Sequence, residues 1–398
     1  MSWYLDKPID FERHNADVRA VWAAFQAGRP TRVPVSVHGS IRNFIQNPVL
    51  NTTGWTFEDF FSSPQAQIDC QLGYQKWCRY NLVCDREMGP PGGGWQVGID
   101  FQNSYDAGWF GCPLHVDGNA VPDTVEILKE DKHRLYEMSC PDPLRGNLLG
   151  RAMEFFEYMH DRCPHVEFEG LPVFPPRTIP GEGNDGVLDA AYKLRGAAEV
   201  CTDMMVDPTY FHDLMGFICD CLIRRMKAIS RWRWERFPDS ADRGNFKRPY
   251  SFADDAIVLL SLEQYAEHVF PYHQRLAEEF SDGGPVSIHM CGDHARFFPF
   301  LRDHLRVRSV DTGFPIDPGA LRRALGPDVR INAGPTVMLV KQGPARAIRD
   351  DVRRICGSGI MDGGKFVMIA ANNMAPLTPL EHVDALYEAA KEFGQFRT

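Results

Sequence analysis

The stretch Pro285-Val286-Ser287-Ile288-His289-Met290-Cys291-Gly292-Asp293 decides the fold. Its apolar residues recur at every second position, which reads as a strand, and Gly292-Asp293 marks the loop that ends it. Helical spacing follows over residues 295–305, and a short apolar run at 309–311 reads as the next strand. The same alternation extends in both directions. Toward the N-terminus lie helical runs at 144–159, 189–202, 208–234 and 261–280, with strand-like runs at 166–173 and 253–259. Toward the C-terminus, strands are predicted at 330–333 and 366–370 and a last helix at 379–394. Repeated strand-then-helix units mean an α/β protein with a parallel sheet and helices outside it. Periodicity alone does not separate an open doubly wound sheet from a closed barrel. No G-x-G-x-x-G sits between a strand and a helix, and Gly92-Gly93-Gly94, followed by Trp95, reads as a loop.

The first 28 residues read as an amphipathic helix, with Val18, Val21, Trp22 and Phe25 at helical spacing and Gly28 ending the run. Residues 32–39 then form a buried strand that emerges into a loop at His38. The span 81–143 is rich in Gly, Pro and aromatics; short strands at 95–101 and 125–128 fit it better than long helices. It is predicted to be a loop-rich insertion within a single domain of residues 1–398.

The composition is that of a globular protein, with 44% hydrophobic and 24% charged residues. A net charge of −10 with scattered basic residues argues against a nucleic-acid surface. No apolar run is long enough to span a membrane, and the first residues lack the apolar core of a signal peptide. The eleven cysteines, an odd number without the density of a secreted scaffold, point to reduced thiols in a cytoplasm.

His289 and Cys291 stand two apart at a strand end, so both side chains point to one face. Imidazole and thiolate together suit zinc with an open coordination position; a strand-end histidine beside a buried cysteine is the plainer alternative. Asp254 and Asp255 are adjacent, so in a strand at most one faces a pocket, where an enclosed carboxyl has a raised pKa and acts as acid or base. His38, followed by Arg42, is either a ligand-facing polar group or a structural histidine. Trp95, Phe101, Tyr105, Trp109 and Phe110 either wall a pocket or form a small core beneath the insertion. The run Arg231-Trp232-Arg233-Trp234-Glu235-Arg236 reads as a helix end with snorkelling arginines.

Four ordered pieces carry a family resemblance. Gly28-Arg29-Pro30-Thr31-Arg32-Val33-Pro34-Val35 resembles the family's entry to its first strand. Asp254-Asp255, with Leu260-Ser261-Leu262-Glu263-Gln264-Tyr265 and Phe270-Pro271-Tyr272, resembles a second segment. His289-Met290-Cys291-Gly292 resembles its "H-x-C-G" strand end, and Gly363-Gly364-Lys365-Phe366 through Thr378-Pro379-Leu380-Glu381-His382-Val383 its closing segment. The chain thus resembles the uroporphyrinogen decarboxylase and corrinoid-dependent methyltransferase superfamily. The resemblance implies a (β/α)8 TIM-type barrel with an N-terminal helical and loop-rich extension, its pocket at the C-terminal ends of the strands. It also implies zinc on His289, Cys291 and a later cysteine, activating a methyl-accepting thiol. That third position falls on Asn372, a poor zinc ligand. Either a carboxylate such as Asp255 or Glu182 completes the set, or the site lost its metal and changed chemistry. Cys356 falls earlier, on the preceding helix.

The expectation is therefore a methyltransferase of one-carbon metabolism. It would move a methyl group between a small methylated substrate and a corrinoid, thiol or folate acceptor, with the corrinoid carried on a separate protein. Asp255, His38 and His289 are the expected catalytic residues, Asn372 and Asp254 the cofactor-binding ones, and His289 and Cys291 the metal ligands. The resemblance further implies a homodimer. The alternative is a metal-independent decarboxylase or lyase; the arginines that would clamp a substrate with many carboxylates are not recognisable near the first strand.

Overall fold

A computed structural model of the protein describes residues 3–6 and 8–396; positions 1, 2 and 7 of the predicted N-terminal helix lie outside the described residues. The chain forms two compact units, each discontinuous in sequence. The first comprises residues Met1–Trp55, Cys70–Gly94 and Ser287–Thr398, the second Thr56–Asp69 and Trp95–Val286. The described strands are β1 (Val35–Ser36), β2 (Trp95–Gln96), β3 (Leu114–His115), β4 (Asp123–Thr124), β5 (Glu167–Phe168), β6 (Leu171–Phe174), β7 (Ser251–Ala253), β8 (Val286–Met290), β9 (Val307–Thr312), β10 (Arg330–Ala333) and β11 (Phe366–Ile369).

The first unit is built on a sheet in the order β1-β11-β10-β9-β8. Its β1–β11, β11–β10 and β10–β9 pairings are parallel, and the register sets Asn332 beside Asp311. All four residues of β11 are buried, the continuous apolar run of a parallel strand covered on both faces. The helix Ala345–Cys356 presents Ile348, Val352 and Ile355 inward and packs against the last helix, Leu380–Phe393. The predicted first helix forms as Phe11–Gln26, capped by the Asp10 side chain, with Val18 and Val21 buried. Arg32 pins the entry to β1. Its guanidinium is buried and donates to both Asp85 oxygens at 2.6 and 2.7 Å, while the Val35 amide donates to Asp85 at 2.7 Å.

In the second unit β2 pairs parallel with β6, and the predicted strand 166–173 is a tight antiparallel hairpin of β5 and β6. It turns at Glu169 and Gly170, whose φ angles are +51° and +73°. The predicted helix 189–202 divides into Val187–Arg195 and Ala197–Val206 at Gly196, where φ is +102°. The predicted strand 253–259 is only β7 followed by a 3-10 turn over Asp255–Leu259. The cause is local: the Asp189 carboxylate accepts the Asp255 and Ala256 amides at 2.9 and 3.1 Å and turns the chain. The predicted strand at 125–128 is not one; the pairing there is β3 with β4. From 95 to 143 no described element exceeds six residues. The longest helix, Pro208–Arg236, starts with Asp207 as its cap and proline in its first turn. No described helix is long and apolar enough to cross a membrane, and the eleven cysteines are free.

Candidate active site

The chemistry-bearing residues of the first unit gather at the C-terminal ends of its strands. β8 carries His289 outward and delivers Cys291 just past its end. Gly292 then turns at φ +97°, and the β9 chain approaches so closely that a Cβ on Gly313 would lie 2.1 Å from the Gly292 nitrogen. Only glycine permits that approach, which holds the loop after Cys291 against the end of β9.

From β9, Asp311 places Oδ2 3.2 Å from His289 Nδ1. The other imidazole nitrogen, Nε2, lies 3.3 Å from Cys291 Sγ. From the loop after β11, Asn372 donates its side-chain N–H to the same sulfur at 2.9 Å. The Asn372 side-chain oxygen accepts the Asn373 amide at 2.6 Å, which fixes which end of the side chain faces Cys291. The result is a carboxylate–imidazole–thiol chain with an amide donor on its sulfur. The His289 side chain is 45% exposed and that of Asp311 27%, so solutes reach the pair. Hydrogen bonds to Asp311 and then to Cys291 push the His289 pKa up to about 10, against some loss of solvation. His38, beyond β1, hydrogen-bonds Ser36 Oγ at 2.9 Å. Partial enclosure, and the nearby Arg86 guanidinium, hold it below the usual imidazole range.

The predicted acids Asp254, Asp255 and Glu182 belong to the second unit. Asp254, expected to bind cofactor, is fully buried, and the protein itself occupies its carboxylate. It accepts the Leu188 and Asp189 amides at 2.9 and 3.1 Å and faces His273 Nε2 at 2.9 Å. It thereby caps the helix Val187–Arg195, whose N-terminus favours negative charge. Asp255 starts the 3-10 turn held by Asp189. Burial and then Asp254 raise Asp189 to about 8. Glu182 is committed to cations, with Arg233 Nε at 2.8 Å and Arg248 at 3.8 Å. Cys356 ends an outer helix of the first unit, and burial pushes its thiol up to about 12.

Four of the five insertion aromatics form core. Trp95, Phe101, Trp109 and Phe110 are buried, and both indole N–H groups find backbone carbonyls, Phe168 at 2.8 Å and Asp142 at 2.9 Å. Phe101 and Tyr105 also line a cavity of about 530 Å³ at the C-terminal ends of β2 and β6, with Val97, Ile99, Pro176 and Ile179.

The donors at Cys291 do not fit a zinc ion. A catalytic zinc takes three protein ligands and an open position, and here His289 and Cys291 are joined by an amide. Asn372 presents an N–H, not a lone pair, to the sulfur. Among the described residues no group of three His, Cys, Asp or Glu side chains is placed to hold a metal ion.

Two residues escaped the sequence reading. Asp311 lay in a predicted strand, and the signal was its place at the end of the strand following His289. His273 sits in mid-helix, and nothing in its spacing marked it.

Residues 250–393 match the model of the uroporphyrinogen decarboxylase (URO-D) family. A methylated-thiol–coenzyme M methyltransferase of Methanosarcina mazei is 31% identical over 383 residues, which cover 94% of this chain and 89% of that protein. A solved structure, a methyltransferase from Methanosarcina mazei, shares the fold. Its TM-score is 0.60 at 15% identity, over 94% of this chain and 98% of that one.

Proposed function

Because the chain belongs to the uroporphyrinogen decarboxylase and corrinoid-dependent methyltransferase superfamily, we propose that it is a methyltransferase moving a methyl group from a small methylated thiol to a thiol acceptor. The observation that carries this reading is the 31% identity, over nearly the whole chain, to a methylated-thiol–coenzyme M methyltransferase. The strand-end group of Cys291, His289 and Asp311 supports it, because thiol chemistry needs a partner that takes or returns a proton at sulfur. In this reading His289 holds that proton at Nε2, and Asp311 fixes the ring through Nδ1. The cavity of the second unit has the size and apolar lining for a small ligand. A corrinoid, where one takes part, arrives on a separate protein, and the (β/α)8 barrel and the homodimer belong to the same proposal.

The amide of Asn372 at the third donor position favours one second reading, a metal-independent decarboxylase or lyase. One assay separates the two. Purified protein is incubated with dimethyl sulfide, coenzyme M and reduced cobalamin, and products are identified by mass spectrometry. The methyltransferase reading expects methylated coenzyme M and released methanethiol. No methylated product from any combination, together with carbon dioxide released from a carboxylated compound, contradicts it.

A further inference from the structure

We propose that the cavity of the second unit, beyond β2 and β6, is a binding site for a neutral, apolar ligand built on a ring and larger than dimethyl sulfide. Its walls come from the two segments that follow those strands. Val97, Ile99, Phe101 and Tyr105 form one wall, Pro176 and Ile179 the other. Three observations converge on the ligand's class. The first is size. The cavity holds about 530 Å³, within the range of about 300–1,000 Å³ that encloses a drug-sized molecule. Dimethyl sulfide would leave most of that space to water, to which an apolar wall offers few partners.

The second is charge. The polar side chains of the lining are turned to the protein. Both Asp100 carboxylate oxygens accept from Gln102, one from its backbone amide at 2.7 Å and one from its side chain at 2.6 Å. Gln96 donates to the Phe174 and Pro175 carbonyls at 3.3 and 2.8 Å, Thr178 to Glu182 at 3.0 Å, and the Tyr105 hydroxyl to Asp185 at 3.2 Å. Arg177, the one cation of the lining, pairs with Asp239. A charged ligand would give up its hydration there without finding an uncommitted partner. The third is rigidity. Phe101 packs against Phe61 and Phe155, each at 5.4 Å between ring centroids. The fully buried Gln67 accepts the Asp100 amide at 3.0 Å and donates to the Asp100 carbonyl at 2.7 Å, which pins the loop. A wall already in place loses little freedom on binding, and its two aromatic rings favour a ring in the ligand. The proposal deepens the methyl-transfer reading, on which only the choice of methylthio probes rests.

The test is equilibrium dialysis of the full-length protein against methyl phenyl sulfide, its para-carboxylate and para-trimethylammonium analogues, and dimethyl sulfide. Binding is read without turnover, so its failure and that of methyl transfer are separate results. Methyl phenyl sulfide should bind about tenfold or more tighter than either charged analogue and than dimethyl sulfide. Ile99→Trp, which fills the cavity, should weaken it about tenfold or more. Ile99→Asp adds an uncommitted carboxylate and should reverse the order in favour of the cationic analogue. Thermal midpoints report whether each variant is folded; if one is not, the other variant and the wild-type series decide. A charged analogue or dimethyl sulfide binding as tightly as methyl phenyl sulfide, or no saturable binding of any probe, overturns the proposal. So does a folded Ile99→Trp protein with wild-type affinity, or a folded Ile99→Asp protein that keeps the wild-type order.

Discussion

The molecule contains two carboxylate–imidazole chains of nearly the same chemistry, and they do different work. In the first unit Asp311 holds His289, which faces the Cys291 thiol, at strand ends where the imidazole is 45% exposed. In the second, Asp254 holds His273, whose other nitrogen meets the Tyr265 hydroxyl at 2.9 Å. There the carboxylate and imidazole are 0% and 2% exposed. Asp254 also accepts two backbone amides, so its charge is tied to the start of a helix. The sealed chain is filled by the protein's own groups and serves the fold; the open one ends at a cysteine that is only partly buried. The motif of acid, imidazole and acidic hydrogen therefore says nothing about role by itself. Solvent access and the remaining partners of the carboxylate decide it.

That contrast can be broken or sharpened by substitution. The largest expected change is at the open site. Asn372→Cys replaces the amide donor with a third metal ligand, and the variant should hold about one zinc per chain where the wild type should hold little. Metal analysis after gel filtration checks it; unchanged zinc would mean that position 372 does not face the ion's place. Next is Asp254→Ala, which leaves two buried amides and an imidazole without their acceptor. Urea unfolding should show a loss of about 3–5 kcal/mol. Gly186→Ala strikes the same point from the backbone side. Its φ is +117°, and the added Cβ would lie 2.4 Å from Asp254 Cγ, so about 1–3 kcal/mol should be lost. The smallest effect belongs to Asp311→Asn, about 1 kcal/mol or less because the pair is partly exposed. Its pH dependence is the informative part. The His289 pKa is raised to about 10 from 6.5, so the stability it contributes is full below about 6.5 and lost as pH climbs through 10. The thermal midpoint of wild-type protein should fall over that window, and Asp311→Asn should flatten the fall. An equal slope in both proteins would detach His289 from Asp311.

Much of this was legible in the sequence where a local rule governs. The strands at 286–290, 330–333 and 366–369 follow from short apolar runs bounded by turns, whereas Cys291 lies past the end of its strand, 3.3 Å from His289. The failures fall where a distant carboxylate overrides the local pattern. Residues 253–259 have strand composition, yet Asp189, some 66 residues away, turns them into a 3-10 element. Asp254 looked like a pocket acid because nothing local shows that Leu188 and Asp189 present amides to it. Arg32 matched a family motif, but its partner Asp85 was invisible at a separation of 53 residues. Asp311 was missed because it meets His289 only across neighbouring strands, a relation that the register supplies and the sequence does not.

The most direct test of the account is methyl transfer from dimethyl sulfide to coenzyme M by Cys291→Ser, measured beside its thermal unfolding. If Cys291 is the working group at the open site, turnover should fall about a hundredfold or more while the melting midpoint stays that of wild type. A folded Cys291→Ser protein that transfers methyl groups at the wild-type rate would contradict the account.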